Sequence, residues 1–264
     1  MKPTVYFVNL IGDLDVNFLV DFQEKIVSEY TLKQNKNIIY GFNLSPTISF
    51  GGNKKINSFR DNFNLFDVET LNLNYIKSSR PGGTTYLGPG QRTYFFNIGI
   101  GSSKKIPNPI FEFGHKLLDT IVDLSKNLPC ENSLIDKEKI LTESQTDLFY
   151  QHGDKKFKLG SLGIKGSCEK QNLVSKIVTR FGVNFYLTKK GLEHFNLINP
   201  CGIQDKNISV GCLEDLLQTQ LEVDLFDESF IKSFEKIFPF EVLRDENLSC
   251  DLQKIYDEIS RNKK

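Results

Sequence analysis

Lys158-Leu159-Gly160-Ser161-Leu162-Gly163 follows the turn His152-Gly153-Asp154-Lys155, and the residues on either side, 146–151 and 156–165, read as the two strands of a hairpin. Leu159, Leu162 and Ile164 alternate imperfectly, as in a buried strand, and Gly160, Ser161 and Gly163 are small enough for a ligand to lie against it. Working outward gives more sheet: 4–10, 37–42, 46–51, 72–77, 93–100 and 173–187 read as strands. Two long helices interrupt them. One follows a cap at Asp13 or Asp15 and carries the stripe Val16, Leu19, Val20, Gln23, Ile26 and Val27; the other covers 110–128. The polar, Asn-rich stretch 53–70 reads as an irregular excursion, and 101–109 as a loop. After Gly211 three helices are expected, over 213–223, 227–238 and 249–262. The pattern predicts an α+β fold, mixed β-sheets with flanking helices gathered on one side, with 1–212 as the main domain and 213–264 as a helical C-terminal extension packed on it.

The 264 residues suffice for one large domain with a sizeable core, or for two small ones. A net charge of zero gives no global pull toward nucleic acid, and no apolar run reaches the roughly 18 residues of a membrane span. The N-terminal residues lack a signal-peptide apolar region, so reduced thiols in the cytoplasm are expected. Five cysteines (130, 168, 201, 212, 250) at irregular spacing, with no CxxC pair, argue against a disulfide framework or structural zinc. No His/Asp/Glu cluster has metal-ligand spacing, so no metal and no other cofactor is expected. Residues 154–180 hold seven Lys or Arg against two acids, while 213–264 hold thirteen acids against seven bases. The basic stretch reads as a solvated surface or as a landing patch for an acidic protein.

Three segments carry candidate chemistry. The loop Arg80-Pro81-Gly82-Gly83-Thr84-Thr85-Tyr86-Leu87-Gly88-Pro89-Gly90-Gln91 has glycines where backbone must approach a ligand or take positive φ, and Tyr86 and Gln91 are able to hydrogen-bond a carbonyl or amide; it is also readable as a wide turn. It is not a P-loop, because no Gly-Lys-Ser/Thr follows. Lys158 is either a surface lysine or, in an apolar cavity, a usable base. Cys201, in Ile198-Asn199-Pro200-Cys201-Gly202-Ile203, sits in a tight turn able to present a thiol nucleophile, or is a buried structural cysteine. Cys168 and Cys212 read as structural, and none of His115, His152 and His194 stands in a motif.

Taken together, the three segments resemble the lipoyl/octanoyl transferase family, which shares a biotin/lipoate protein ligase-like (class II synthetase-like) fold. The family's R-G-G-x-x-T-Y-H-G-P-G-Q loop matches residues 80–91, its K-I-A-S/A-L/I-G strand matches Lys158 to Gly163, and its F-x-x-I-x-P-C-G segment matches Phe195 to Gly202. The resemblance covers about 5–217. It implies transfer of an octanoyl group from acyl carrier protein to Cys201 as a thioester, then to a lysine of the lipoyl domains of 2-oxoacid dehydrogenase and glycine cleavage proteins. It implies Lys158 as the group that lowers the thiol pKa and shuttles the proton. It also implies that Arg80, Pro81, Gly82, Gly83, Thr84, Thr85, Tyr86, Leu87, Ser161, Leu162, Gly163, Gly182, Val183 and Asn184 line the acyl site.

Three family histidines are replaced by apolar residues here: Leu87 in the loop, Phe181 in Phe181-Gly182-Val183-Asn184, and Leu44 in Leu44-Ser45-Pro46. A drier site is expected, with fewer polar groups for an oxyanion. The rival readings are an ATP-dependent lipoate-protein ligase-like enzyme, which has no need of Cys201, and a non-catalytic homologue that binds carrier or lipoyl domains.

Overall fold

The structure is a computed structural model and describes residues 2–56, 59, 65–100, 108–129, 131, 136–143, 147–171, 174–200 and 207–263. Its strands are β1 Thr4–Leu14, β2 Asn37–Leu44, β3 Thr47–Phe50, β4 Asn74–Lys77, β5 Thr85–Leu87, β6 Gln91–Asn97, β7 Gly99–Ile100, β8 Ile140–Glu143, β9 Asp147–His152, β10 Lys155–Gln171, β11 Val174–Tyr186, β12 Ile208–Val210 and β13 Glu241–Arg244. Its helices are α1 Val16–Ile26, α2 Leu65–Thr70, α3 Pro109–Asn127, α4 Leu213–Leu217, α5 Val223–Ile237 and α6 Glu246–Asn262. Among the described residues, ten strands form one mixed sheet whose main path is β13-β1-β2-β6-β11-β10-β9-β8, and β4-β3-β5 form a second, smaller sheet.

Local chemistry fixes the helix starts. Asp15 accepts a hydrogen bond from the Asn17 amide, Asn108 from the Phe111 amide ahead of Pro109, and Asp245 from the Leu248 amide, each satisfying an amide in the first turn of its helix.

Helices cover both faces of the large sheet, where one side was expected. Val5 and Phe7 of β1, Ile39 of β2, and Tyr94 and Phe96 of β6 pack with α3 and α5. The alternating residues Val8, Leu10, Ile38, Tyr40 and Phe42 pack with α1 and α6. Strands apolar on both faces need both covered, and period-2 alternation is then invisible as a polar/apolar pattern. The tail also departs from a purely helical extension. β13 pairs in parallel with β1, Thr4 opposite Glu241, and Phe226, Phe230 and Phe234 of α5 share the core cluster of Val5 and Phe7. The stretch read as irregular holds α2 and a short helical turn at Lys54–Ile56, and Phe59 forms an isolated bridge with Ile198.

A polar network lies within this core. Arg92 grips Asp227 of α5 through Nε (2.9 Å to Oδ1) and Nη2 (2.6 Å to Oδ2), and donates to Asn9 Oδ1 at 2.8 Å. The Tyr94 hydroxyl donates to the same carboxylate at 2.5 Å. Burial, with that carboxylate against it, holds the Tyr94 phenol well above its usual range. Arg180 donates to Glu24 and Glu169. Among the described residues no helix is long and apolar enough to cross a membrane.

Candidate active site

The hairpin forms as expected: β9 and β10 pair antiparallel around a turn at Gly153, with Lys158 opposite Phe149 and Ser161 opposite Asp147. Between those pairs the register shifts by one residue at Leu159. That bulge turns Lys158 onto the face that carries Ser161 and Asp147, where strict alternation would have turned it away. It also explains the imperfect alternation of the sequence. Lys158 Nζ lies 2.8 Å from Asp147 Oδ1, with the lysine wholly buried and the aspartate nearly so.

β11 lies on the other edge of β10. Ser161 pairs with Asn184, Leu162 with Val183, Gly163 with Gly182 and Ile164 with Phe181. The Gly-rich loop crosses over this pair: a Cβ on Gly163 would stand 3.2 Å from Arg80 Cγ. On the far side, a Cβ on Gly182 would stand 1.7 Å from the Tyr94 carbonyl oxygen, so only glycine lets β6 and β11 approach this closely. Between these elements is a cavity of about 260 Å³. Of the residues the sequence nominated, Arg80, Pro81, Gly82, Thr85, Leu87, Ser161, Leu162, Gly163, Gly182, Val183 and Asn184 line it. Leu44, Leu87 and Phe181, the positions where the sequence comparison expected apolar replacements, all line this same cavity.

Gly83, Thr84 and Tyr86 are not among its lining residues. Within β5, Thr85 and Leu87 face the cavity and Tyr86 therefore faces away, stacked on His194 at 4.8 Å and edge-on to Phe195 at 5.6 Å. Gln91 is likewise internal. Its Oε1 accepts from Asn184 Nδ2 (2.6 Å) and from the Gly88 amide (3.3 Å), and Thr93 Oγ1 donates to Asn184 Oδ1 (2.9 Å). Tyr86 and Gln91 thus hold the loop and Asn184 in place, in contrast to the substrate-facing role their sequence context suggested. Arg80 does the same, donating to the carbonyls of Pro81 (2.9 Å), Gly83 (2.6 Å) and Ser49 (3.3 Å).

Cys201 and residues up to 206 lie outside the described residues, as does Cys130. Their flanks are described. Pro200 is buried, and Asn199 Nδ2 donates to the Phe59 carbonyl at 3.1 Å. On the other side β12 runs parallel to β10, with Val210 opposite Lys158, and the Gly211 amide donates to the Lys158 carbonyl at 2.9 Å. Burial pushes the Cys212 thiol up to about 11, as suits a structural cysteine, whereas Cys168 is exposed and so is not the structural cysteine expected. Of the seven bases in 154–180, Lys158 and Arg180 are internal and paired, which leaves the surface less basic than the count suggests.

Sequence reasoning missed Asp147, Thr93 and Phe95, all of which line the cavity. A lone acid at the start of the otherwise apolar run Leu148-Phe149-Tyr150 was the available signal for Asp147.

A profile of the lipoyl protein ligase A/B catalytic domain matches residues 15–235. The chain belongs to the lipoyl protein ligase A/B family. The matched region runs past 217, into the tail that the motif comparison left out. An octanoyltransferase of Desulforamulus reducens is 26% identical over 247 residues, covering 92% of this chain and 96% of its own. One from Caldicellulosiruptor bescii is 25% identical over 249 residues, covering 93% and 97%. Among solved structures, lipoate-protein ligase A bound with ATP superimposes with a TM-score of 0.63 at 14% identity, covering 98% of this chain and 95% of its own. A bipartite lipoate protein ligase of Thermoplasma acidophilum gives 0.66 at 11%, covering 98% and 93%. The α+β fold is therefore that of the lipoate ligases. This family member is an enzyme of lipoyl-related acyl transfer, a lipoyl/octanoyl transferase.

Proposed function

We propose that the chain moves an octanoyl group from acyl carrier protein to a lysine of a lipoyl domain through a thioester on Cys201, with Lys158 as the proton-handling group. The observation that carries this reading is the buried Lys158–Asp147 pair at the wall of a cavity lined largely by nominated acyl-site residues. In the first half-reaction Cys201 Sγ attacks the donor thioester carbonyl; the new S–C bond replaces the donor's, and the carrier leaves as its thiol. In the second, the acceptor amine attacks, the C–N bond forms, the Cys201 S–C bond breaks, and the amine's proton returns to the thiol. A cation beside the thiol favours its thiolate, and a positioned proton carrier contributes roughly 10²–10⁴ in rate. Exchange between thioesters is nearly isoenergetic and aminolysis is downhill, so the scheme needs no nucleotide.

The apolar walls offer the acyl chain about 0.8 kcal/mol per buried methylene. An open groove of about 210 Å³ shares Pro81, Leu162 and Gly163 with the cavity and is bounded by Ile110, Phe111 and His115 of α3, which suits the approach of an acyl-bearing arm. Octanoyl transfer from acyl carrier protein to a lipoyl domain, compared for wild type, Cys201→Ser and Lys158→Ala, tests the reading. Transfer in wild type alone supports it. Equal rates in all three eliminate the dyad, and transfer that requires ATP favours a ligase.

A further inference from the structure

A closed end is what an acyl slot needs in order to measure chain length, because about fourfold in affinity per methylene discriminates weakly between neighbouring lengths. The cavity has such an end. A second, smaller cavity of about 30 Å³ lies behind it, against Val16, Leu19 and Val20 of α1 and Ile76 of β4. The two cavities share four lining residues: Arg80, Leu87, Phe95 and Phe181. Those side chains are the partition between them.

Phe181 is the member of that partition with the most unusual backbone. Its φ is +62°, in the left-handed region that a bulky side chain rarely occupies, in the middle of a strand paired on both edges. Such a conformation persists only where its surroundings over-determine it. Here they do. Gly182, the next residue, is pressed against the Tyr94 carbonyl, and the Phe181 ring stands edge-on to Phe95 at 5.8 Å, which is itself edge-on to Phe42 at 5.0 Å. Arg80, whose guanidinium is fixed to loop carbonyls, braces the partition from the loop side.

We propose that Phe181 is the chain-length determinant of this enzyme: its ring closes the acyl slot, and removing it joins the slot to the cavity behind and admits acyl chains several carbons longer. The inference rests on the acyl-transfer reading above. Phe181 acts here as a steric stop and takes no part in the bond changes.

The test measures initial rates of transfer to a lipoyl domain from acyl carrier protein loaded with six-, eight-, ten-, twelve- and fourteen-carbon chains. It compares the full-length wild type with Phe181→Ala and Phe181→Gly, with melting temperatures recorded for each. The glycine variant suits the left-handed backbone, so it folds even if alanine is poorly tolerated. Wild type is expected to peak at eight carbons. Both variants are expected to raise the twelve-to-eight-carbon rate ratio by about tenfold or more. Leu44→Ala, which widens the slot on a wall that does not face the rear cavity, is expected to leave that ratio within about threefold. A folded Phe181→Gly that keeps eight-carbon activity with an unchanged ratio overturns the inference and leaves the acyl-transfer reading standing. A wild type that transfers no acyl chain overturns both.

Discussion

Lys158 Nζ and Asp147 Oδ1 lie 2.8 Å apart in the protein interior, brought onto one face of the β9–β10 hairpin by the bulge at Leu159. Removing one partner of a buried ion pair leaves a charge uncompensated and costs about 3–5 kcal/mol, whereas apolar replacement of both is often neutral. Asp147→Ala and Lys158→Ala are therefore expected to unfold at markedly lower denaturant concentration than wild type. The double variant Asp147→Leu/Lys158→Met should recover most of that stability and none of the transfer activity. Urea unfolding and single-turnover rates on the same samples separate the structural role from the chemical one.

Asp147→Asn keeps the shape and removes the charge that holds the lysine. It should lower kcat by roughly 10²-fold with little change in KM, the mark of a displaced reacting group with its binding cavity intact. A raised KM with kcat unchanged would place Asp147 in substrate binding instead.

The Arg92–Asp227–Tyr94 cluster ties α5 to the central sheet by two charged hydrogen bonds and a hydroxyl. Asp227→Ala strands a buried guanidinium and should destabilise the protein by about 3–5 kcal/mol. Calorimetry on that variant also reports on the tail: a single, cooperative, lowered transition is expected, because α5 shares one core with β1 and β6. Two separated transitions would make 213–264 an independent unit.

Cys212 gives a pH-dependent readout. Burial pushes its thiol up to about 11, so it stays protonated where an exposed thiol ionises. Brief alkylation at pH 8 followed by peptide mapping should label Cys168 and Cys250, both exposed, and spare Cys212. The native state holds that proton over a range where the unfolded chain releases it. Its contribution to stability is complete below about 9 and is lost as pH rises toward about 11.

Much of the architecture was legible because it is carried by long, periodic segments. α3, the β9–β10 hairpin and the order of the three motifs are examples, and β10 and β11 set the nominated residues 161–163 opposite 182–184. What stayed hidden was short or non-local. β12 and β13 are three and four residues long, too short to show a period, and each exists because a distant strand offers it an edge. The Lys158–Asp147 pair depends on a one-residue bulge that no composition signals. Tyr86 and Gln91 looked ligand-facing because polar groups in a Gly-rich loop usually are; strand alternation and the Asn184 network turned them inward.

In the proposed reaction Cys201 carries the acyl group between donor and acceptor. The most direct test of that role is peptide-resolved mass spectrometry of the protein after brief incubation with octanoyl-acyl carrier protein and no acceptor. One octanoyl group is expected on the peptide containing Cys201, discharged when a lipoyl domain is added and absent in Cys201→Ser. An unmodified Cys201 in an enzyme that still acylates the lipoyl domain at full rate would contradict that role.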